Sequence, residues 1–188
     1  MTKDDFETLV GSFVGQTIAE VLYFDHEIPD VDEPWGQPWN GESPTSGRIG
    51  DGAELSMESG DIFWVTYGSE FFHYGVSIQH NPNELRWRQE GHFVSANVSD
   101  AACWSSTIGH VITDAQVFWG EIVYESREES PIEYPQDVGL NFEAGPAVYF
   151  SALEFIDGSP AYFADEIQVF CSEEELRKYA IGPFATES

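Results

Sequence analysis

The sequence predicts an α+β fold, mostly antiparallel β-sheet built from two similar halves, with short helices before each half and at the C-terminus. Two internal matches carry this reading. VGQTIAEVLYFDH (14–26) aligns with IGHVITDAQVFWG (108–120), setting Gly15 on Gly109, Ile18 on Ile112, Glu20 on Asp114 and Phe24 on Phe118. AELSMESGDIFWVT (53–66) aligns with VGLNFEAGPAVYFS (138–151), setting Leu55 on Leu140, Glu58 on Glu143, Gly60 on Gly145 and Trp64 on Tyr149. A weaker third match sets Val76 and Ile78 on Ile167 and Val169. One half alone would expose apolar strands and be marginal in size. Two can cover each other's faces.

The elements follow in order. Phe6, Leu9, Val10 and Phe13 have helical spacing, with Asp4 or Asp5 as cap. In the second half Cys103, Trp104 and Ile108 would line the matching helix, capped by Ser99 or Asp100. Gly15 and Gly109 then permit a positive φ at each helix end. Strands are expected over 17–24 and 111–119, followed by hairpins turning near Gly60 and Gly145. In the first hairpin Leu55 and Met57 alternate inward, while Glu54 and Glu58 point out. A helix over 173–181 closes the chain, with Ser172 and Glu175 as a capping box and Gly182-Pro183 as its stop. The two repeats, about 4–80 and 99–171, form one compact unit. The stretch between them holds Leu85, Trp87, Phe93 and Val94, unlike a flexible linker.

The charge is extreme: seven Lys+Arg against 34 Asp+Glu, for a net −27. Such a surface repels nucleic-acid phosphates and anionic lipid, so direct binding to either is not expected. It attracts basic partners instead. A surface serving solubility or salt adaptation would carry the same sign. The acidic start MTKDDFETLV lacks a signal-peptide pattern, and no apolar run approaches membrane-span length. The cytoplasm is the expected compartment. Cys103 and Cys171 are expected as buried free thiols.

Catalytic motifs are missing: no phosphate-binding glycine loop, no Gly-x-Ser-x-Gly elbow and no His-Glu-x-x-His. No cofactor or metal is expected. The five histidines are scattered, and DVDEPWG has no glycine at the sixth position and no distal glutamate at the spacing of a calcium loop. The candidate site lies in two acidic, aromatic loops. The first, 25–51, carries Asp25, Glu27, Asp30, Asp32 and Glu33 beside Trp35 and Trp39. The second carries Glu121, Glu125, Glu128, Glu129 and Glu133 with Tyr124 and Tyr134. Aromatic anchors ringed by charge are the chemistry of protein–protein hot spots.

The order of motifs resembles a group of small uncharacterised bacterial proteins. In them a helix leads into Leu/Ile-Gly-x-x-Ile, a strand ending in aromatics and an Asp-x-Gly-hydrophobic hairpin. The unit recurs near the C-terminus with a segment like VYFSALEF, here Val148 to Phe155. The resemblance spans most of the chain and implies no activity and no functional residue. Small acidic proteins of this style are also similar to immunity proteins that neutralise bacterial toxins. The expected function is therefore a non-enzymatic protein binding a basic, nuclease-like toxin. The alternatives are a DNA mimic occupying a nucleic-acid-binding protein, and an enzyme or small-ligand module using a cleft between the halves.

Overall fold

A computed structural model describes residues 1–26, 46–48, 52–71, 75–82, 93–101, 103–123, 131–156, 159–162 and 166–185. The fold is mostly antiparallel β-sheet with few short helices. Helix α1 (Lys3–Gly11) comes first. The first five-stranded sheet holds β1 (Ile18–His26), β3 (Gly52–Met57), β4 (Ile62–Gly68), β5 (Gly75–His80) and β6 (Phe93–Asn97), in the order β5-β4-β3-β1-β6. The second holds β2 (Ser46–Arg48), β7 (Ile112–Ile122), β8 (Ile132–Phe142), β9 (Val148–Ser151) and β12 (Gln168–Phe170), in the order β2-β12-β9-β8-β7. Strands β10 (Leu153–Ile156) and β11 (Ser159–Tyr162) form a separate hairpin, and α2 (Glu173–Lys178) precedes a 3-10 turn at Gly182–Phe184.

Four strands of each sheet pair in the same way. Val21 faces Leu55 as Ala115 faces Leu140, and both ladders carry an irregularity just after their first isoleucine, Ile18 or Ile112. Ala53 faces Val65 as Val138 faces Phe150. Val65 faces Ile78 as Phe150 faces Val169. The sheets meet where the aligned glycines stand. Gly15 N–H donates to the Ile112 carbonyl (2.8 Å), Gly109 N–H donates to the Ile18 carbonyl (3.0 Å), and Thr17 bridges Val111. Gly15 and Gly109 hold φ of 86° and 78°, a region that L side chains avoid.

One core lies between the sheets. Val21, Leu55, Phe63 and Val65 from the first sheet join Ile112, Leu140, Phe150 and Val169 from the second, all fully buried or nearly so. Phe6 and Val10 of α1 belong to the same core. A smaller cluster of Tyr149, Leu153, Phe170, Leu176 and Ile181 is built from β9, β10 and β12 with the C-terminal segment.

Several expectations need correction. Cys103 and Cys171 form a disulfide, with Cα atoms 5.6 Å apart, rather than two free thiols. Their separation of 68 residues hides a proximity created by β12 returning beside the 103–110 segment. That segment is a run of turns rather than a helix, although Ile108 N–H still reaches the Trp104 carbonyl (2.9 Å). The cap of α1 is Thr2, locked in a reciprocal box with Asp5. Ser172 makes no side-chain cap bond, and α2 ends at Lys178 instead of 181. Glu54 does not face water; it is 2% exposed, because β3 is covered on both faces, with Trp64 beside it at 5%. The strands run longer than expected, to His26 and Ile122. The end of the first acidic loop is β2, paired to β12, and the stretch 81–99 contributes β6, paired to β1.

Candidate functional site

Alternation puts Trp119 of β7 on the core-facing side, where α1 lies against it. The Trp119 ring meets Phe6 edge-on at 6.0 Å, and Phe71 edge-on at 5.0 Å. Its Nε1–H donates to Glu7 Oε1 (2.9 Å). Lys3 Nζ stands 4.6 Å above the same ring and donates to Glu133 Oε1 (2.7 Å). Glu133 pairs across the ladder with Glu121, and both are exposed. Like charges directly opposite repel, and Lys3 offsets this at the β8 side.

The structure thus places one predicted site residue, Glu133, on an exposed strand beside α1. Asp25 lies at the end of β1, in the ladder opposite Val94. Glu27, Asp30, Asp32, Glu33, Trp35, Trp39, Glu125, Glu128 and Glu129 lie outside the described residues. Tyr134 was expected in an exposed loop. It is a buried strand residue, its ring where a Cβ on Gly120 would stand 2.7 Å away. Its hydroxyl donates to Gln136 Oε1, and Gln136 Nε2 donates to the Ala152 carbonyl (2.8 Å). The β7–β8 hairpin is longer than periodicity suggested, so Tyr134 belongs to the sheet.

Three of the seven basic residues have described side chains, and each of the three is engaged. Lys3 is committed to Glu133 and Trp119. Arg177 binds Glu173 (2.8 Å) and lies 4.1 Å over the Phe184 ring. Lys178 donates to the Tyr179 hydroxyl (2.8 Å), which holds its pKa above the ordinary lysine value. Glu20, Glu58, Asp100, Glu121 and Glu174 are exposed.

Two polar clusters were not foreseen. Asp61, in the β3–β4 turn, accepts from Asn81 Nδ2 (2.8 Å), Ser59 Oγ (3.0 Å) and Gln16 Nε2 (3.2 Å), with His80 Nε2 at 3.4 Å. Hydrogen bonds from Asn81, then Ser59, hold its pKa below the usual carboxylate range. Ser59, Asp61 and His80 are not a catalytic triad. Ser59 Oγ lies against Gln16 and Asp61, and His80 lies against Asp61, so the imidazole does not stand between hydroxyl and carboxylate as a triad requires. The cluster closes a turn. The second is Asp137, 1% exposed, which accepts from Ser151 Oγ and from Gly182 N–H (2.8 Å). Burial pushes its pKa up to about 6, against the pull of those two bonds. Asp137 thereby ties the C-terminal turn to the second sheet. Burial, with the charges of Asp114 and Asp137, also raises the Tyr149 phenol. Only a hydrophobic strand position holding a lone aspartate could have signalled this site.

Among the described residues, no three His, Cys, Asp or Glu side chains converge as metal ligands, and no helix is long and apolar enough to cross a membrane. Comparison with known proteins finds no matching family model, no matching curated protein and no matching solved structure.

Proposed function

We propose that the chain is a non-enzymatic binding protein for a basic protein partner, built as one compact duplicated unit. The carrying observation is the net charge of −27 on a surface where Lys3, Arg177 and Lys178 are already engaged. A cationic surface gains by approaching such a field, and a polyanion loses. The shared order and pairing of four strands in each sheet support duplication. In its narrowest form the reading is immunity toward a basic, nuclease-like toxin, and a DNA mimic would use the same sign of charge. The Cys103–Cys171 bridge favours an oxidising compartment over the cytoplasm expected from the sequence.

The test is association kinetics with a partner found by pull-down or encoded beside the gene. Association should slow steeply with added salt, because screening shortens the reach of the field to roughly 10 Å at 0.1 M. Rates that ignore salt would reduce the acidic surface to a solubility coat.

A further inference from the structure

The two sheets differ at one edge. On β1, the side away from β3 is filled by β6, through Leu22–Asn97, Tyr23–Ala96 and Asp25–Val94 pairs. There Val21 N–H donates to Ser99 Oγ (2.9 Å), and the Val21 carbonyl accepts from Val98 N–H (3.0 Å). Strand β7 holds the matching place in the second sheet, with Ala115 where β1 has Val21. Among the described residues β7 is an edge strand with no strand on that side. Its first residue, Ile112, is paired there by Gly15 and Gln16. Beyond it, strand alternation directs the backbone groups of Ala115, Val117, Trp119 and Glu121 outward.

We propose that this edge is where the partner binds: an extended, Lys- or Arg-rich segment adds to β7 as an antiparallel strand, as β6 adds to β1. The inference rests on the reading of the chain as an acidic binding protein and names the site and mode of that binding. Backbone pairing would supply register, and charge would choose the partner. Three observations support it. The edge is long, and ITDAQVFWGEI contains neither Pro nor Lys, devices that usually block strand addition. Its only charges are Asp114 and Glu121, with Glu133 one strand away. Helix α1 meets this hairpin through Trp119 and Glu133, and among the described residues no strand pairs with the outer side of β7. A second copy of the chain is the poorer occupant, because it would bring another −27 and set acids against acids.

The test uses the whole oxidised protein and three synthetic peptides of about ten residues, long enough to span β7. One alternates lysine and threonine, one alternates glutamate and threonine, and one is the lysine peptide N-methylated at every second residue. Affinity is measured by calorimetry at low and high salt, and the site by amide hydrogen exchange. The lysine peptide should bind at low salt and slow exchange at Ala115, Val117, Trp119 and Glu121. The other two should bind at least about tenfold more weakly, since one lacks the charge and one lacks the pairing edge. Ala115→Pro, which removes an outward N–H, should weaken the lysine peptide similarly; should it misfold, the N-methylated peptide still decides. Absence of lysine-peptide binding at low salt overturns the proposal. Equal binding of the N-methylated peptide overturns it too. Protection away from β7 overturns the edge while leaving the acidic binding function standing. Protection of β7 that grows with protein concentration, without peptide, assigns the edge to a second copy and overturns it as well. The function itself is judged separately, by the salt dependence of the natural partner.

Discussion

The two sheets match in the order and pairing of four strands each but are fastened differently. Where the first sheet ends β5 with His80, stacked at 4.4 Å on Phe63, which in turn stacks on Phe13, the second follows β12 with Cys171, bonded to Cys103. The first closes its hairpin with a solvent-facing network around Asp61. The second buries a carboxylate, Asp137, and roofs it with the C-terminal turn. One backbone plan therefore tolerates different local chemistry, provided the alternating core residues keep their places. The fastenings, more than the plan, should set how each sheet responds to redox conditions, pH and mutation.

The largest expected difference comes from the covalent link. Closing a 68-residue separation restricts the unfolded chain by about 4 kcal/mol in the loop-entropy picture. Reduction, or Cys103→Ser with Cys171→Ser, should lower thermal stability by that order. Exchange should rise first in the 103–110 turns and β12, with β3 to β5 affected least. Uniform loss across both sheets would mean that they unfold as one.

Next is pH. Folded Asp137 holds its proton up to about 6, above the ordinary 3.8. Its contribution to stability is therefore greatest below that window and falls as pH rises through it. The fall is on the order of 3 kcal/mol at about 1.4 kcal/mol per unit. Asp61 has the opposite sign, since its pKa is lowered. The measurement is the difference between the parent and Asp137→Asn in denaturant melts from pH 4 to 7. A difference that does not vary with pH would show that Asp137 stays charged in the fold.

The hairpin glycines sharpen the comparison further. Gly60 and Gly145 have nearly the same φ, 92° and 91°, so alanine strains both. A Cβ on Gly60 meets open space, whereas one on Gly145 collides with the Ser106 carbonyl oxygen. Gly145→Ala should cost about 2 kcal/mol more than Gly60→Ala, by equilibrium unfolding. Equal costs would show that the 103–110 turns yield easily.

A smaller effect tests a contact joining the two sheets' elements. Trp104 Nε1–H donates to the Tyr23 hydroxyl (2.7 Å) inside the core. Tyr23→Phe leaves that donor unpaired and should cost about 1–3 kcal/mol in the same assay. The smallest is Lys3→Ala. Its ion pair with Glu133 is exposed, so stability should change by less than about 1 kcal/mol.

Short-range patterns were readable in the sequence. The paired glycines, the inward placing of Leu55 and Met57 and the burial of Ile18 and Ile112 follow from local sterics and periodicity. What was not readable depends on distant chain meeting distant chain. Neither Cys103 nor Cys171 has a neighbour that announces its partner. Glu54 reads as solvent-facing because alternation says nothing about what covers a sheet's second face. β2 and β6 lie outside the four matched strands of each sheet, so the internal match could not reveal them. Of the expected binding residues, Glu133 shows its side chain and Asp25 its ladder position. The edge of β7 emerged only when the register was compared with β1.

The placement of β2 has a consequence for how the chain is made. Ser46–Arg48 leave the first sheet's sequence to pair with Gln168–Phe170, near the C-terminal end of the sequence given. During synthesis the first sheet can gather β1, β3, β4, β5 and then β6 in turn. The strand Ser46–Arg48, by contrast, must wait unpaired until β12 emerges. Long-range pairings of this kind slow folding, because loop entropy is lost before contacts repay it. Until then β2 has no pairing partner in the first sheet, and a net charge of −27 disfavours its pairing with another copy of the chain.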